Sequence, residues 1–188
     1  MDDDDVQSMI AELAELILQQ GLSAEVREKA KNLSAKIGFD DLDELKHLFH
    51  NPPREAKIYD VSTHGLGGWL SACQFAAFEL ILNVGEPALP FLRQIAWGDY
   101  DWTQGNAIEI MIRFAAKGIN RDEIIKEIKT NFPDIRYEAQ LYAIEPLIPL
   151  LETDKDLKSV VDRMTECFAF AEIYKEITAS ETDRTIGH

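Results

Sequence analysis

A short turn between two helical stretches concentrates the side chains with the clearest chemical potential. Between Trp97 and Trp102 the chain places Asp99, Tyr100 and Asp101. Aromatic rings offer rigid contact area and carboxylates offer negative charge, which together suit the binding of a positively charged protein. The structural alternative is that Trp97 and Trp102 both pack beneath their own turn. We expect one of them to be buried and the other to be at least partly available. We predict that Asp99, Tyr100, Asp101 and Trp102 form a partner-binding rim.

The helical stretch that follows, 105–117, carries a narrow polar stripe. Asn106, Glu109, Arg113 and Lys117 lie on one helical face at i, i+3, i+7 and i+11, and the other positions are almost all apolar. We predict that Asn106, Glu109 and Arg113 continue the binding face behind the rim. The alternative is an ordinary solvated face, on which a Glu109–Arg113 pair contributes about 0.3–0.5 kcal/mol.

Other chemically capable residues do not assemble into a recognisable site. His47 and His50 are three residues apart on a short helical stretch, but the spacing supplies no third strong metal ligand. His64 lies in a glycine-rich segment and could titrate near neutral pH, yet no nucleophile or carboxylate is placed beside it. The segment 63–68 lacks the lysine and the Ser/Thr of a phosphate-binding loop. We assign no catalytic residue, no cofactor and no metal.

Charge is the strongest signal in the composition. The 188 residues include 34 acidic and 19 basic side chains, a net charge of −15. The acidity is unevenly spread, since residues 61–120 carry a net charge of only −2. Such a field repels phosphate backbones and anionic membranes and attracts basic proteins. We predict a basic protein partner, no nucleic acid and no membrane; the alternative is that acidity only maintains solubility.

The sequence also predicts a cytoplasmic protein. No apolar run approaches the roughly 20 residues needed to cross a bilayer. The first ten residues, MDDDDVQSMI, lack the basic region of a secretory signal. The two cysteines, Cys73 and Cys167, lie in apolar helical stretches and suit buried free thiols better than a disulfide.

Helices must position these side chains, because apolar residues recur with helical periodicity along the chain. The first stripe is Val6, Met9, Ile10, Leu13, Leu16 and Ile17. Gly21 is expected to end that helix, and Ser23 to cap the next. A third short helix, about 40–50, ends before Pro52 and Pro53.

The stretch Trp69–Val84 is apolar nearly all round, which is typical of a helix buried on several sides. We therefore predict that it is the central helix and that four of its large side chains are all buried. These are Phe75, Phe78, Leu80 and Ile81.

A proline motif recurs along the second half of the chain. Residues 86–92 read EPALPFL, and 59 residues later 145–151 read EPLIPLL. Proline is favoured in the first turn of a helix, so Pro87 and Pro146 should each open one, with Gly85 in a left-handed cap conformation. The resulting hairpins pair the following stretches: 86–97 with 102–117, 120–131 with 135–144, and 146–152 with 156–178.

EPALPFL, EPLIPLL, the helix ends at NVG and AKG, and the alanine-rich second helices resemble the HEAT and armadillo-like repeat family over about residues 69–178. The resemblance implies an all-α fold, a short right-handed solenoid of antiparallel helical hairpins with about eight to nine helices. It also implies a concave face lined by second helices, where the polar stripe would floor a groove. Proteins of this family mostly bind partners, and a few are enzymes.

The predicted organisation is one helical-repeat domain over residues 1–178. It comprises N-terminal helices (1–53), an irregular glycine-rich connection (54–68) and HEAT-like hairpins (69–178), followed by a flexible tail (179–188). No oligomeric state is assigned.

The predicted function is a non-catalytic interaction module that binds a basic protein through its acidic-aromatic face. An immunity protein or another inhibitor that neutralises a toxin is one form of such a module. Two alternatives remain. One is a small hydrolase that uses Glu109 or Asp101 in the groove, and the other is a structural or oligomeric scaffold with an interface at Phe75, Phe78 and Leu82.

Overall fold

The structure is a computed structural model that describes residues 5–99 and 101–186. Within these residues the chain forms eleven α-helices and no β-strand. The all-α prediction is confirmed, and the helix count exceeds the expected eight to nine. None of the helices in the described part of the chain is long and apolar enough to span a membrane.

The helices divide between two compact units, which meet in sequence at Ala88 and Leu89. The first unit contains α1 (Val6–Gln20), α2 (Ala24–Ser34), α3 (Leu42–His50), α4 (Val61–His64) and α5 (Gly68–Val84). The second contains α6 (Leu89–Ala96), α7 (Gln104–Ala116), α8 (Arg121–Asn131), α9 (Tyr137–Ile144), α10 (Lys155–Met164) and α11 (Phe168–Ile186). Short 3-10 helices span Phe39–Asp41, Glu86–Ala88, Phe132–Asp134 and Glu145–Leu150.

In the first unit α5 is the central helix, as its apolar composition predicts. It packs against α1, α2 and α3. Phe78, Leu80 and Ile81 are buried, and the Phe78 ring meets Phe49 edge-on at a centroid distance of 5.0 Å. Phe75 is only partly buried, so the prediction that all four side chains are buried is wrong for this residue.

Helix ends in the first unit follow local sequence signals. The Asp5 side chain accepts a hydrogen bond from the Gln7 amide at the start of α1. Gly21, at a φ of 65°, ends that helix, and the Ser23 hydroxyl accepts from the Val26 amide to open α2. Both the stop and the cap lie where the sequence predicts them.

The connection 54–68 is ordered through its own polar groups. The Asp60 carboxylate caps the single-turn helix α4 at Ser62, and the Tyr59 hydroxyl donates to the Gly65 carbonyl. The His64 ring stacks on Tyr59, and its Nδ1 accepts a hydrogen bond from the Asp60 amide at 3.1 Å. These contacts give His64 a local structural role.

In the second unit the central helix is α7. It packs against α6, α8, α9 and α10. At the contact with α9, a Cβ added to Gly105 would lie 2.3 Å from the Ala139 carbonyl oxygen and 2.7 Å from the Tyr142 Cβ. The two helices therefore approach closely only because residue 105 has no side chain.

The proline motifs open helical segments of the 3-10 type. Pro87 lies in Glu86–Ala88, which leads into α6, and Pro146 lies in Glu145–Leu150, which follows α9 directly. Pro146 lies in the first turn of its segment, where a missing amide hydrogen costs no hydrogen bond within the helix, and Pro149 lies inside the segment. Gly85 has the expected positive φ of 87°, but its ψ of −146° lies outside the left-handed helical region.

Two details at the end of the chain differ from prediction. The stretch 156–178 is not continuous, because α10 ends at Met164 and α11 begins at Phe168. The Thr165 hydroxyl bonds back to the Asp162 carbonyl at 2.7 Å, a local bond that competes with helix continuation. Helix α11 then runs on to Ile186, so residue 179, the expected start of a tail, lies within a helix.

Candidate functional site

A cleft of about 390 Å³ opens in the second unit between two interhelical connections. The connection from α6 to α7 contributes Trp97, Gly98 and Asp99, and α7 itself contributes Gln104. The facing wall comes from the connection between α8 and α9, with Asn131, Asp134, Ile135 and Arg136. The volume lies at the lower end of the range for small-molecule pockets and admits one long side chain of a partner.

Trp97 is held in the cleft wall by polar contacts between α6 and α8. Its indole Nε1 donates to Glu127 Oε2 at 3.4 Å, a long hydrogen bond. Glu127 is in turn bound at both oxygens by the Arg93 guanidinium, and Arg93 also contacts Glu123 at 3.0 Å. The hydrogen bond to Glu127 raises the pKa of Arg93, which is therefore charged at any physiological pH. The Arg93–Glu127 ion pair therefore helps to fix the position of the Trp97 ring.

Gln104 lines the cleft although its side chain is almost entirely enclosed. Its Nε2 donates to the Ala96 carbonyl at 3.1 Å and so holds the end of α6 to the start of α7. Gln140 makes the equivalent bond to the Phe132 carbonyl at 2.8 Å, between the segments that flank the next connection. The two glutamines are 36 residues apart, and so are the two carbonyl acceptors, Ala96 and Phe132. Successive hairpins therefore contain the same hydrogen bond at equivalent positions.

Asp101 has a structural role. Its Oδ1 accepts hydrogen bonds from the Thr103 amide at 2.9 Å and the Thr103 hydroxyl at 2.8 Å, and its carbonyl accepts from the Gln104 amide. This turn places a carboxylate at the start of α7, where negative charge is favoured by the helix dipole. Asp99 is exposed like Asp101, but it lines the cleft, which Asp101 does not.

The polar stripe of α7 is interior, so the prediction that it floors an open groove is wrong. Asn106 and Glu109 are each 6% exposed, and Glu109 pairs with Arg113 at 3.2 Å inside the unit. Four helices, α6, α8, α9 and α10, pack against α7 and enclose Asn106 and Glu109, whereas Lys117 at the end of the stripe is exposed. Asn106 Oδ1 is buried without a hydrogen-bond partner among the described residues.

The aromatic residues of the predicted rim are Tyr100 and Trp102, and Trp97 lies beside the rim in the sequence. Tyr100 lies outside the described residues. Trp97 and Trp102 are both partly exposed, so the expectation that one of them is buried is wrong. Trp97 lines the cleft and Trp102 does not.

Sequence reasoning missed the second wall of the cleft. Asn131 and Asp134 lie in a stretch recognised only as a hairpin turn, and Arg136 was not singled out. The usable signal was the repeated glutamine at Gln104 and Gln140, which aligns the two connections.

Among the described residues no group of three or more His, Cys, Asp or Glu side chains is arranged to hold a metal ion. The histidines that could have suggested such a site have other contacts. Asn51 Nδ2 lies 3.5 Å from His47 Nδ1, and the His50 ring lies against Phe49.

In comparisons with known proteins, no family model, no curated protein and no solved structure matches this chain.

Proposed function

We propose that this protein is a non-catalytic binding module for a basic protein, and that the cleft beside Trp97 is its contact point. The observation that carries the proposal is the convergence of two separate connections on one cleft. Asp99 comes from one connection and Asp134 from the other, and Trp97, whose indole is held by Glu127, lines the same cleft. Carboxylates beside a rigid ring form a suitable anchor site for a cationic side chain.

The charge of the whole chain supports a basic partner. With a net charge of −15, the protein attracts positively charged surfaces and speeds their approach at low salt. The second unit, residues 89–188, has a net charge of −6, so the cleft lies within an acidic unit. Inhibitors of nuclease-type toxins fit this pattern well, because active sites that hold phosphates also attract carboxylates.

The contacts of the carboxylates named for a hydrolase weigh against the enzyme alternative. Glu109 is enclosed and paired with Arg113, and Asp101 is engaged in the turn that starts α7. Both groups hold α7 in place. The scaffold alternative needs an exposed apolar interface at Phe75, Phe78 and Leu82. Phe78 and Leu82 are buried within the first unit, so they are not available for such an interface.

We further propose that the helices of the second unit, taken by itself, form HEAT-like hairpins. The equivalent hydrogen bonds of Gln104 and Gln140 support repetition of one hairpin unit, and a spacing of 36 residues is typical of helical repeats. The cleft then lies between the connections of two successive hairpins, where loops of helical repeats commonly bind partners. The cytoplasm remains the proposed compartment.

The experiment is affinity capture on the immobilised full-length chain from native cell extract, with elution by salt. Association of the purified partner is then timed at low and high salt. Asp99→Asn combined with Asp134→Asn should slow association roughly tenfold at low salt and flatten its salt dependence. Glu152→Gln combined with Glu172→Gln is the matched control, since it removes the same charge from exposed positions outside the cleft.

Two results would contradict the proposal. One is an acidic partner, or none retained above the level seen with a column of unrelated acidic protein. The other is a partner whose association slows equally in the cleft variant and the control variant, which would mean that general charge and not the cleft attracts it.

A further inference from the structure

We propose that the cleft is selective for an arginine side chain of the partner, with Gln104 as the residue that distinguishes arginine from lysine. This inference rests on the proposed function and narrows it from a basic protein to one chemical group. It comes from three observations: an unpartnered amide oxygen, two carboxylates and an oriented aromatic ring.

Gln104 supplies the first observation. The residue is only 5% exposed and lines the cleft. Its Nε2 is committed to the Ala96 carbonyl, and this bond settles which end of the amide is the donor. No described residue donates to its Oε1. Because Gln104 lines the cleft and this oxygen is open to solvent there, an N–H group of a ligand can reach it and supply the missing donor.

The other residues of the cleft also favour a ligand that donates hydrogen bonds. Asp99 and Asp134 present carboxylates, which only accept hydrogen bonds when ionised. Neither makes a hydrogen bond or ion pair with another described residue. A guanidinium has five N–H donors and no acceptor, spread over three nitrogens, so it can reach several separate acceptors at once. The lysine ammonium concentrates three donors on one atom.

The Trp97 ring adds a second reason to prefer arginine. A planar guanidinium stacks on an aromatic face and is less strongly hydrated than an ammonium, so it loses less on entering the cleft. Arg136 also lines the cleft, and its charge opposes a second cation. The two carboxylates outnumber it, which leaves the described lining with a net charge of −1.

The test uses the full-length chain labelled with ¹⁵N and three acetylated, amidated tripeptides with Arg, Lys or citrulline between two glycines. The indole N–H signal of Trp97, assigned with Trp97→Phe, reports occupancy of the cleft. We expect a saturable shift with the arginine peptide, binding roughly fivefold weaker with lysine, and no shift with neutral citrulline.

Gln104→Met and Gln140→Met form a matched pair. Each removes a glutamine-to-carbonyl hydrogen bond of the same kind, but only residue 104 lines the cleft. Gln104→Met should bring the arginine and lysine affinities together, whereas Gln140→Met should keep the wild-type ratio. The three peptides on the wild-type chain test the inference even where a variant does not fold.

Equal affinity of the wild-type chain for the arginine and lysine peptides would overturn the inference and leave the proposed function intact. An unchanged Trp97 signal with all three peptides would overturn the cleft as the site. Failure of the wider function is recognised separately, by an acidic or absent partner in the capture experiment.

Discussion

Asp99 and Asp101 are separated by one residue but differ in what their carboxylates do. Asp101 accepts two hydrogen bonds from Thr103 and shapes the start of α7. Asp99 is exposed and faces the cleft. The sequence assigns both to one binding rim, because composition does not distinguish a carboxylate that is engaged by its own backbone from one that is available.

Replacing Asp101 by alanine should therefore lower the free energy of unfolding by about 1 kcal/mol, since the turn at the start of α7 loses its acceptor. Asp99→Ala, the control, should change it by less than about 0.5 kcal/mol. Urea melts of both variants make the comparison. Equal losses would mean that Asp101 has no capping role.

The two cysteines should differ sharply in reactivity. Burial raises the pKa of the Cys73 thiol to about 12, so at pH 8 it is protonated as well as enclosed. Cys167 is partly exposed. Because the thiolate is the reactive form, iodoacetamide at pH 8 should modify Cys167 first and leave Cys73 intact. Mass spectrometry of the alkylated chain measures this order, and in urea both cysteines should react. Early labelling of Cys73 in the folded protein would contradict its burial.

At the scale of elements, α5 and α7 are both central helices, but only the sequence of α5 predicts a central position. Trp69–Val84 has scarcely any polar face, and the structure surrounds it with α1, α2 and α3. Helix α7 carries a regular polar stripe, which is normally the mark of a solvated face. The helices packed against α7 enclose Glu109, and its ion pair with Arg113 makes the burial of this charge tolerable.

Phe78→Ala should cost about 3–5 kcal/mol, because it leaves a cavity beside Phe49 in the core around α5. Phe75→Ala should cost distinctly less, since that ring is already partly exposed. Urea denaturation of both variants provides the comparison. A loss below about 1 kcal/mol for Phe78→Ala would show that α5 is not central.

Two glycines, one inside α7 and one just after it, should respond to substitution for different reasons. Gly105→Ala places a Cβ against the backbone of α9 and should cost about 2–3 kcal/mol or more. Gly118, just after the helix, has open space but a φ of +83°, so alanine should cost about 1 kcal/mol. Asparagine tolerates this conformation, so Gly118→Asn should cost less than Gly118→Ala, whereas Gly105→Asn should be no better than Gly105→Ala. Thermal melts of the four variants separate steric overlap from backbone strain.

At the scale of the whole molecule, charge governs behaviour in solution. The isoelectric point is about 4.6, and the net charge at pH 7 is −15. Self-repulsion should keep the protein monodisperse at neutral pH and fade as the carboxylates become protonated. We expect a solubility minimum near the isoelectric point, with recovery above it. Light scattering across pH 4 to 8 measures this. Aggregation that is strongest at neutral pH would instead indicate attraction between exposed apolar segments.

Several large apolar side chains are exposed and could cause such aggregation. Leu66 is 93% exposed between Gly65 and Gly67, and Ile58, Val61 and Leu70 are exposed in the same stretch of the chain. Phe168 is similarly exposed at the start of α11. These side chains are spaced along the sequence without helical periodicity, so no pattern predicted their exposure.

What the sequence determines by itself is local. Periodic apolar residues specify the helices, Gly21 and Ser23 specify an end and a start, and an apolar surface all round specifies α5 as a buried helix. Each of these follows from interactions within a few residues of backbone, which the sequence displays directly.

Tertiary structure decided the rest. Whether the stripe of α7 meets water depends on helices far along the chain, and Asp99 and Asp134 line the same cleft only because two connections converge on it. Burial and convergence are properties of packing, and no local pattern contains them.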